Sequence, residues 1–149
     1  MKISNNKIYI IYFFAYLSLL IGFYFNEDFA LGYIQDYSFH HEFVKNYFNE
    51  GILEGLLNYN SQLNPHSPIY MIYFIFLENF FNNENFSRLF NLHLCLLIPF
   101  FLLKSIKLKY NLNTNDLRNL IPLVIFISPY FRGGSIWFDD NIFAIIFLT

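Results

Sequence analysis

Asp36 and His40 stand four residues apart in a stretch whose apolar positions recur at helical spacing, so their side chains can meet one turn apart. A carboxylate held near apolar walls has a raised pKa, which suits it to accept a proton from a hydroxyl group. The competing reading of Asp36 is a solvated loop acid. A second acidic group, Asp139-Asp140-Asn141, precedes an apolar run that begins at Ile142. Asp and Asn are favoured helix N-caps, and the helix dipole favours negative charge there, so capping alone accounts for that group. Joint work by Asp36 and one of these aspartates requires two distant loops to meet.

Three other constellations carry polar chemistry. His40, His41, Glu42 and His66 offer imidazole and oxygen ligands, but their spacing matches no structural zinc pattern. Arg132-Gly133-Gly134 reads either as a guanidinium and backbone amides set against a lipid phosphate or as a flexible turn with an interfacial arginine. Glu78 and His93 lie inside apolar runs and are expected to face neighbouring helices. There is no Gly-rich phosphate loop and no nucleophile–base motif.

The elements that must position these groups are membrane helices. Apolar residues make up 56% of the 149 residues and charged ones 13%, against about 25% charged in ordinary soluble domains. The run 8–25 carries no charge and covers about 27 Å as a helix, close to the ~30 Å hydrocarbon core. Two lysines precede it, and Gly22-Phe23-Tyr24-Phe25 is a poor cleavage site, so it reads as an uncleaved signal anchor with a cytoplasmic N-terminus. The nine basic residues are scattered and give no nucleic-acid footprint. The single cysteine, Cys95, permits no disulfide within the chain.

Further apolar stretches follow at 68–81, 89–103, 120–131 and 142–149. If 68–81 spanned, the loop 104–118, with net charge +3, would be exported against the positive-inside tendency. At fourteen residues and with Glu78 inside it, 68–81 instead reads as an interfacial or re-entrant helix. The expected spans are then about 8–25, 88–106 and 119–131, with a further one starting at 142. Outer loops cover 26–87 and 132–141, which puts both acidic groups on one face. In the first loop Phe29, Tyr33, Tyr37, Val44 and Phe48 form an aromatic stripe, with Asp36, Glu42 and Lys45 largely elsewhere, as expected of an interfacial helix. Gly51, Gly55 and the stretch 58–65 are expected to break it, and Pro68 to start the next helix. The run from Ile142 is only eight residues, about 12 Å, too short to cross. The chain is therefore expected to be part of a longer protein or a truncated reading frame.

The order of these parts resembles the N-terminal region of GT-C membrane glycosyltransferases, in particular protein O-mannosyltransferases and the bacterial aminoarabinose transferases of lipid A. Asp36 matches the acidic position of the first outer loop, Gly51 the glycine that follows, and His66-Ser67-Pro68-Ile69-Tyr70 the proline motif. Phe86-Ser87-Arg88-Leu89-Phe90-Asn91 is similar to the arginine-led start of the family's next helix. The stretch from Ser128 to Asp139-Asp140-Asn141 is similar to its second acidic loop. Tyr37 stands where the family has a second acid, and Ser67 where it has a first proline. Glu27 and Asp28 are the nearest substitutes for the missing acid.

The resemblance covers the first third or so of such an enzyme, so the segment alone is expected to be inactive. It implies an all-α, polytopic membrane fold in the bacterial inner membrane, with a large outer loop carrying interfacial helices. It implies transfer of a sugar from a polyprenyl-phosphate carrier to a lipid, glycan or protein acceptor on the outer face. Asp36 would be the base, and His40, His66, Arg132, Asp139 and Asp140 would bind substrate, with Arg132 toward the lipid phosphate. A divalent ion beside Asp139 or Asp140 is the one cofactor left open. The rival expectation is a non-catalytic polytopic protein, such as a lipid-linked-sugar transporter or assembly subunit, or an inactive remnant.

Overall fold

The computed structural model of the chain describes residues 4–28, 32–59 and 66–148, and every regular element among them is helical. The order is α1 (Asn5–Tyr24), α2 (Tyr33–Tyr47), α3 (Ile52–Leu57), α4 (Pro68–Phe81), α5 (Glu84–Cys95) and α6 (Leu97–Tyr110). A short 3-10 turn (Leu117–Leu120) then leads to α7 (Leu123–Ile127), α8 (Pro129–Trp137) and α9 (Asp140–Leu148). Two helices are long and apolar enough to cross a membrane, Asn6–Tyr24 and the continuous Glu84–Tyr110. A third qualifies if the bent pair Leu117–Ile127 and Pro129–Trp137 is one span. The chain thus has the helices of a membrane protein. The α5–α6 rod has 27 residues, about 40 Å, so its ends reach past a ~30 Å hydrocarbon layer.

The third span differs from the expected straight run over 119–131. The residue before a proline avoids the helical region, and Ser128 adopts ψ 119. Its hydroxyl accepts from the Phe131 amide, and Pro129 opens α8 at the position where a missing N–H costs nothing. The two pieces meet at 63°. Consequently 132–137, expected as loop, is helix. Gly55 also differs from expectation: it lies inside α3 rather than ending a helix, and a Cβ there would overlap the Phe48 ring. The break after α2 falls at Gly51, whose φ of 126° suits glycine.

The core is aromatic and sits where α2, α4, α5 and α8 converge. Tyr70, Met71, Phe74 and Leu77 of α4, Tyr33 and Tyr37 of α2, and Ile136, Trp137 and Phe138 at the end of α8 are all buried. The stripe on α2 therefore buries Tyr33, Tyr37 and Phe48 and half-buries Val44, while Asp36, Glu42 and Lys45 are exposed; Phe29 lies outside the described residues. In lipid, helices associate through close packing and polar contacts rather than through escape from water. The α5–α8 seam has both. Asn91 Nδ2 donates to the Ser135 carbonyl at 2.8 Å, and its Oδ1 accepts from Tyr73 at 3.1 Å. Gly133 lets the Tyr33 ring lie directly on α8, where a Cβ would overlap it.

Arg88, 2% exposed, closes the same seam. Its Nε donates to the Ile136 carbonyl at 3.2 Å and its NH2 to Asn26 Oδ1 at 3.0 Å, and the guanidinium sits 3.5 Å from the Trp137 ring centroid. A buried cation stacked and hydrogen-bonded in this way ties α5, α8 and the end of α1 together.

Candidate functional site

The two acidic loops meet. α2 packs on α8, Tyr33 donates to the Tyr130 carbonyl at 3.4 Å, and Tyr37 packs against Trp137 and Phe138. The helix that carries Asp36 reaches Tyr130 through Tyr33, and the Tyr130 hydroxyl donates to Asp139 at 3.1 Å. The Tyr33 phenol is held above its ordinary value by burial first and then by the charges of Asp139, Asp28 and Asp36. Tyr70 is raised by burial and then by Asp140, Asp139 and Asp36, with Tyr73.

Asp36 lies in the first turn of α2 and is exposed. Among the described residues no hydrogen bond to its carboxylate is formed, which leaves both oxygens for an incoming hydroxyl. The other acids are engaged. Asp28 accepts from the Gly32 and Tyr33 amides, both at 3.2 Å, and so caps α2. Asp139 Oδ1 accepts from the Ile142 amide at 2.9 Å and from the Tyr130 hydroxyl at 3.1 Å, so it caps α9 as its type predicts. Burial raises the Asp139 carboxyl above its ordinary value, against those two bonds. Asp140 Oδ2 lies 2.8 Å from His66 Nδ1.

His40 follows Asp36 by one turn but is buried, 2% exposed, while Asp36 is exposed. Its ring packs edge-on against His66 with centroids 4.4 Å apart and against Tyr70 at 5.1 Å. Burial, reinforced by the neighbouring His66, pushes its pKa down to about 4, while Asp140 opposes this. His40 is therefore uncharged at neutral pH and forms a neutral aromatic wall beside His66, its buried Nδ1 without a hydrogen-bond partner among the described residues. A groove of about 480 Å³ opens beside that pair. Ser67, Asp140 and Asn141 make its polar part, and Ile69, Phe143 and Phe147 line its apolar length.

Arg132 is placed differently from the lipid-phosphate expectation. It sits within α8, and its Nε and NH2 pair with both Glu27 oxygens. NH1 donates to Ser18 Oγ at 3.1 Å and the Phe126 carbonyl at 3.2 Å, and NH2 also donates to the Ser18 carbonyl at 3.0 Å. A guanidinium has five N–H donors, and these contacts use them all. Side-chain exposure is 11% for Arg132 and 8% for Glu27. The pair clamps α8 to the end of α1, and Gly22 makes room for it. Gly133 and Gly134 lie inside the same helix, where their amides do not form an open anion nest.

Glu78 and His93 do face neighbouring helices. Glu78 accepts from the Tyr37 hydroxyl at 2.9 Å and pairs with His41 at 3.1 Å, joining α4 to α2, while His93 meets the Tyr16 hydroxyl of α1 at 2.8 Å. Among the described residues no three His, Cys, Asp or Glu side chains converge as a metal site. No step is assigned to a divalent ion. Sequence reasoning missed the Glu27–Arg132, His66–Asp140 and Arg88–Trp137 partnerships, all between residues more than 45 positions apart. Compared with protein-family models, curated proteins and solved structures, the chain matches none.

Proposed function

We propose that the chain belongs to a membrane glycosyltransferase of the GT-C type, which moves a sugar from a polyprenyl-phosphate carrier to an acceptor hydroxyl at the outer face. The observation that carries this reading is the meeting of the two acidic loops beside an amphiphile-shaped groove. Asp140, paired with His66, lies at one end, an apolar channel leads away between α4 and α9, and Asp36 stands exposed on neighbouring α2 with a carboxylate that forms no hydrogen bond among the described residues. In this reading Asp36 accepts the acceptor's proton as the new glycosidic bond forms. The bond from the sugar's anomeric carbon to the carrier phosphate breaks, and the phosphate leaves with that electron pair. His66, oriented by Asp140, and neutral His40 behind it hold hydroxyl groups. Arg132, saturated by Glu27 and Ser18, acts as a positioning residue that fixes α8 and so Asp139.

A second reading, a non-catalytic lipid-linked-sugar transporter or assembly subunit, draws on the structural engagement of Glu27, Asp28, Glu78, Asp139 and Asp140. A photoreactive polyprenyl-phosphate sugar tests the binding step common to both. On irradiation in membranes it is expected to label the peptide containing Phe143 and Phe147, and labelling is expected to fall severalfold when Ala144→Trp fills the groove. Equal labelling by the free polyprenol, or indifference to Ala144→Trp, would remove the support that the groove gives.

A further inference from the structure

A second cavity lies toward the N-terminal end of α1, about 20 Å along that helix from the end that leads to Glu27. It holds about 120 Å³ between Ile8 and Tyr12 of α1, Leu103 and Lys107 of α6, and Thr114 and Asn119 of the connection to α7. Asn119 is 1% exposed. Its Nδ2 donates to the carbonyls of Asn113 at 2.9 Å and Thr114 at 3.1 Å, which fixes the amide's orientation, and its backbone carbonyl accepts from Tyr12 at 2.7 Å. The remaining atom, Oδ1, is buried and has no partner among the described residues. A buried acceptor of this kind calls for a donor. The volume is that of about four water molecules in the liquid, room for a short polyol arm.

The cations around the cavity say which donor. Lys107 lines it, so a second ammonium is repelled and a hydroxyl is favoured. Arg118 is committed to Asp116 through bonds of 3.0 Å and 2.8 Å, while Lys107 lines the cavity and, with Lys104, the groove beside it, where both are placed to meet an anion. Lys104, Lys107 and Leu103 also line an adjoining groove of about 330 Å³, whose walls are completed by Phe100 and Leu108. Polar arm, anion and apolar chain are thus provided for in sequence along one surface.

We propose that this end of the bundle binds an anionic phospholipid whose headgroup carries a hydroxyl. The phosphate meets Lys104 and Lys107, the headgroup hydroxyl donates to Asn119 Oδ1, and an acyl chain runs back along Leu103 and Phe100 toward the membrane interior. The site is independent of the transferase reading.

The full chain, purified in nanodiscs of phosphatidylcholine doped with a test lipid, is expected to retain phosphatidylglycerol roughly thirty-fold over phosphatidylethanolamine by native mass spectrometry, the scale of two lysines at a lipid surface. Phosphatidic acid, which has the phosphate but no headgroup hydroxyl, is expected to be retained severalfold less than phosphatidylglycerol. Lys107→Gln should remove most of the enrichment and Lys109→Gln little. Asn119→Leu should erase the difference between phosphatidylglycerol and phosphatidic acid; if that variant does not fold, the wild-type comparison of the two lipids decides the same point. Equal retention of those two lipids by the wild type, or equal losses from both lysine variants, would overturn the proposal. Full displacement by soluble glycerol phosphate at matched concentration would overturn its lipid part.

Discussion

Asp36→Asn is expected to lower sugar transfer by roughly two orders of magnitude or more, the size of a lost general base, in a chain carrying the further membrane helices of a GT-C enzyme. The substitution keeps size and shape and removes only the basic oxygen. Because the Asp36 side chain is exposed and bonds to nothing among the described residues, stability should change by no more than about 0.5 kcal/mol. Loss of transfer with an unchanged melting temperature therefore separates chemistry from folding. Transfer at near wild-type rate from a polyprenyl-phosphate sugar would show that Asp36 is not the base. Glu27 and Asp28, the substitutes that sequence spacing offers, are then poor replacements, since one is clamped to Arg132 and the other caps α2. Asp139, half-buried and with its carboxyl raised by that burial, would be the next residue to test.

Glu27→Gln is expected to loosen the fold by about 3–5 kcal/mol, the cost of leaving one member of a buried ion pair alone. Arg132 would keep its bonds to Ser18 and Phe126 but lose its counter-charge. Arg132→Met should cost a similar amount, and the double variant less than the sum of the two, because no lone charge remains. Unfolding in detergent with denaturant reads all three. Arg132→Lys should recover only part of the loss, since an ammonium has three donors where five are used. If Arg132→Met leaves stability unchanged and instead abolishes binding of a polyprenyl phosphate, the guanidinium is a phosphate ligand rather than a clamp.

The helical elements were legible from hydropathy and punctuation. Pro68 opens α4 at the expected residue, and the capping of α9 by Asp139 follows from residue type. The aromatic stripe of α2 told which side would be buried, down to the outward placement of Asp36, Glu42 and Lys45. The partnerships were not legible. Residue spacing along one helix predicts which side chains share a face, and it paired Asp36 with His40. His40 instead turns inward toward His66, because an imidazole among Tyr70, Phe74 and Phe39 buries aromatic surface that the α2 backbone alone does not specify. Likewise Arg132 beside two glycines looked like a phosphate turn. Its role was set by Glu27, 105 residues away, and the glycines by the Tyr33 ring and by Ile142 beside Asp139. The kink at Ser128 was available from the Ser-Pro pair and was overridden by the apolar run on either side of it.

The sidedness of the two acidic loops tests the central claim most directly. Cys95 is 1% exposed and gives a silent background, so single cysteines at Asn58, Asn141 and Lys107 can be read one at a time with a membrane-impermeant maleimide on intact cells. Positions 58 and 141 are expected to label from outside, and 107 only after the membrane is opened. Labelling of 107 from outside, or of 58 and 141 from opposite sides, would separate the acidic loops across the bilayer and contradict a shared outer-face site.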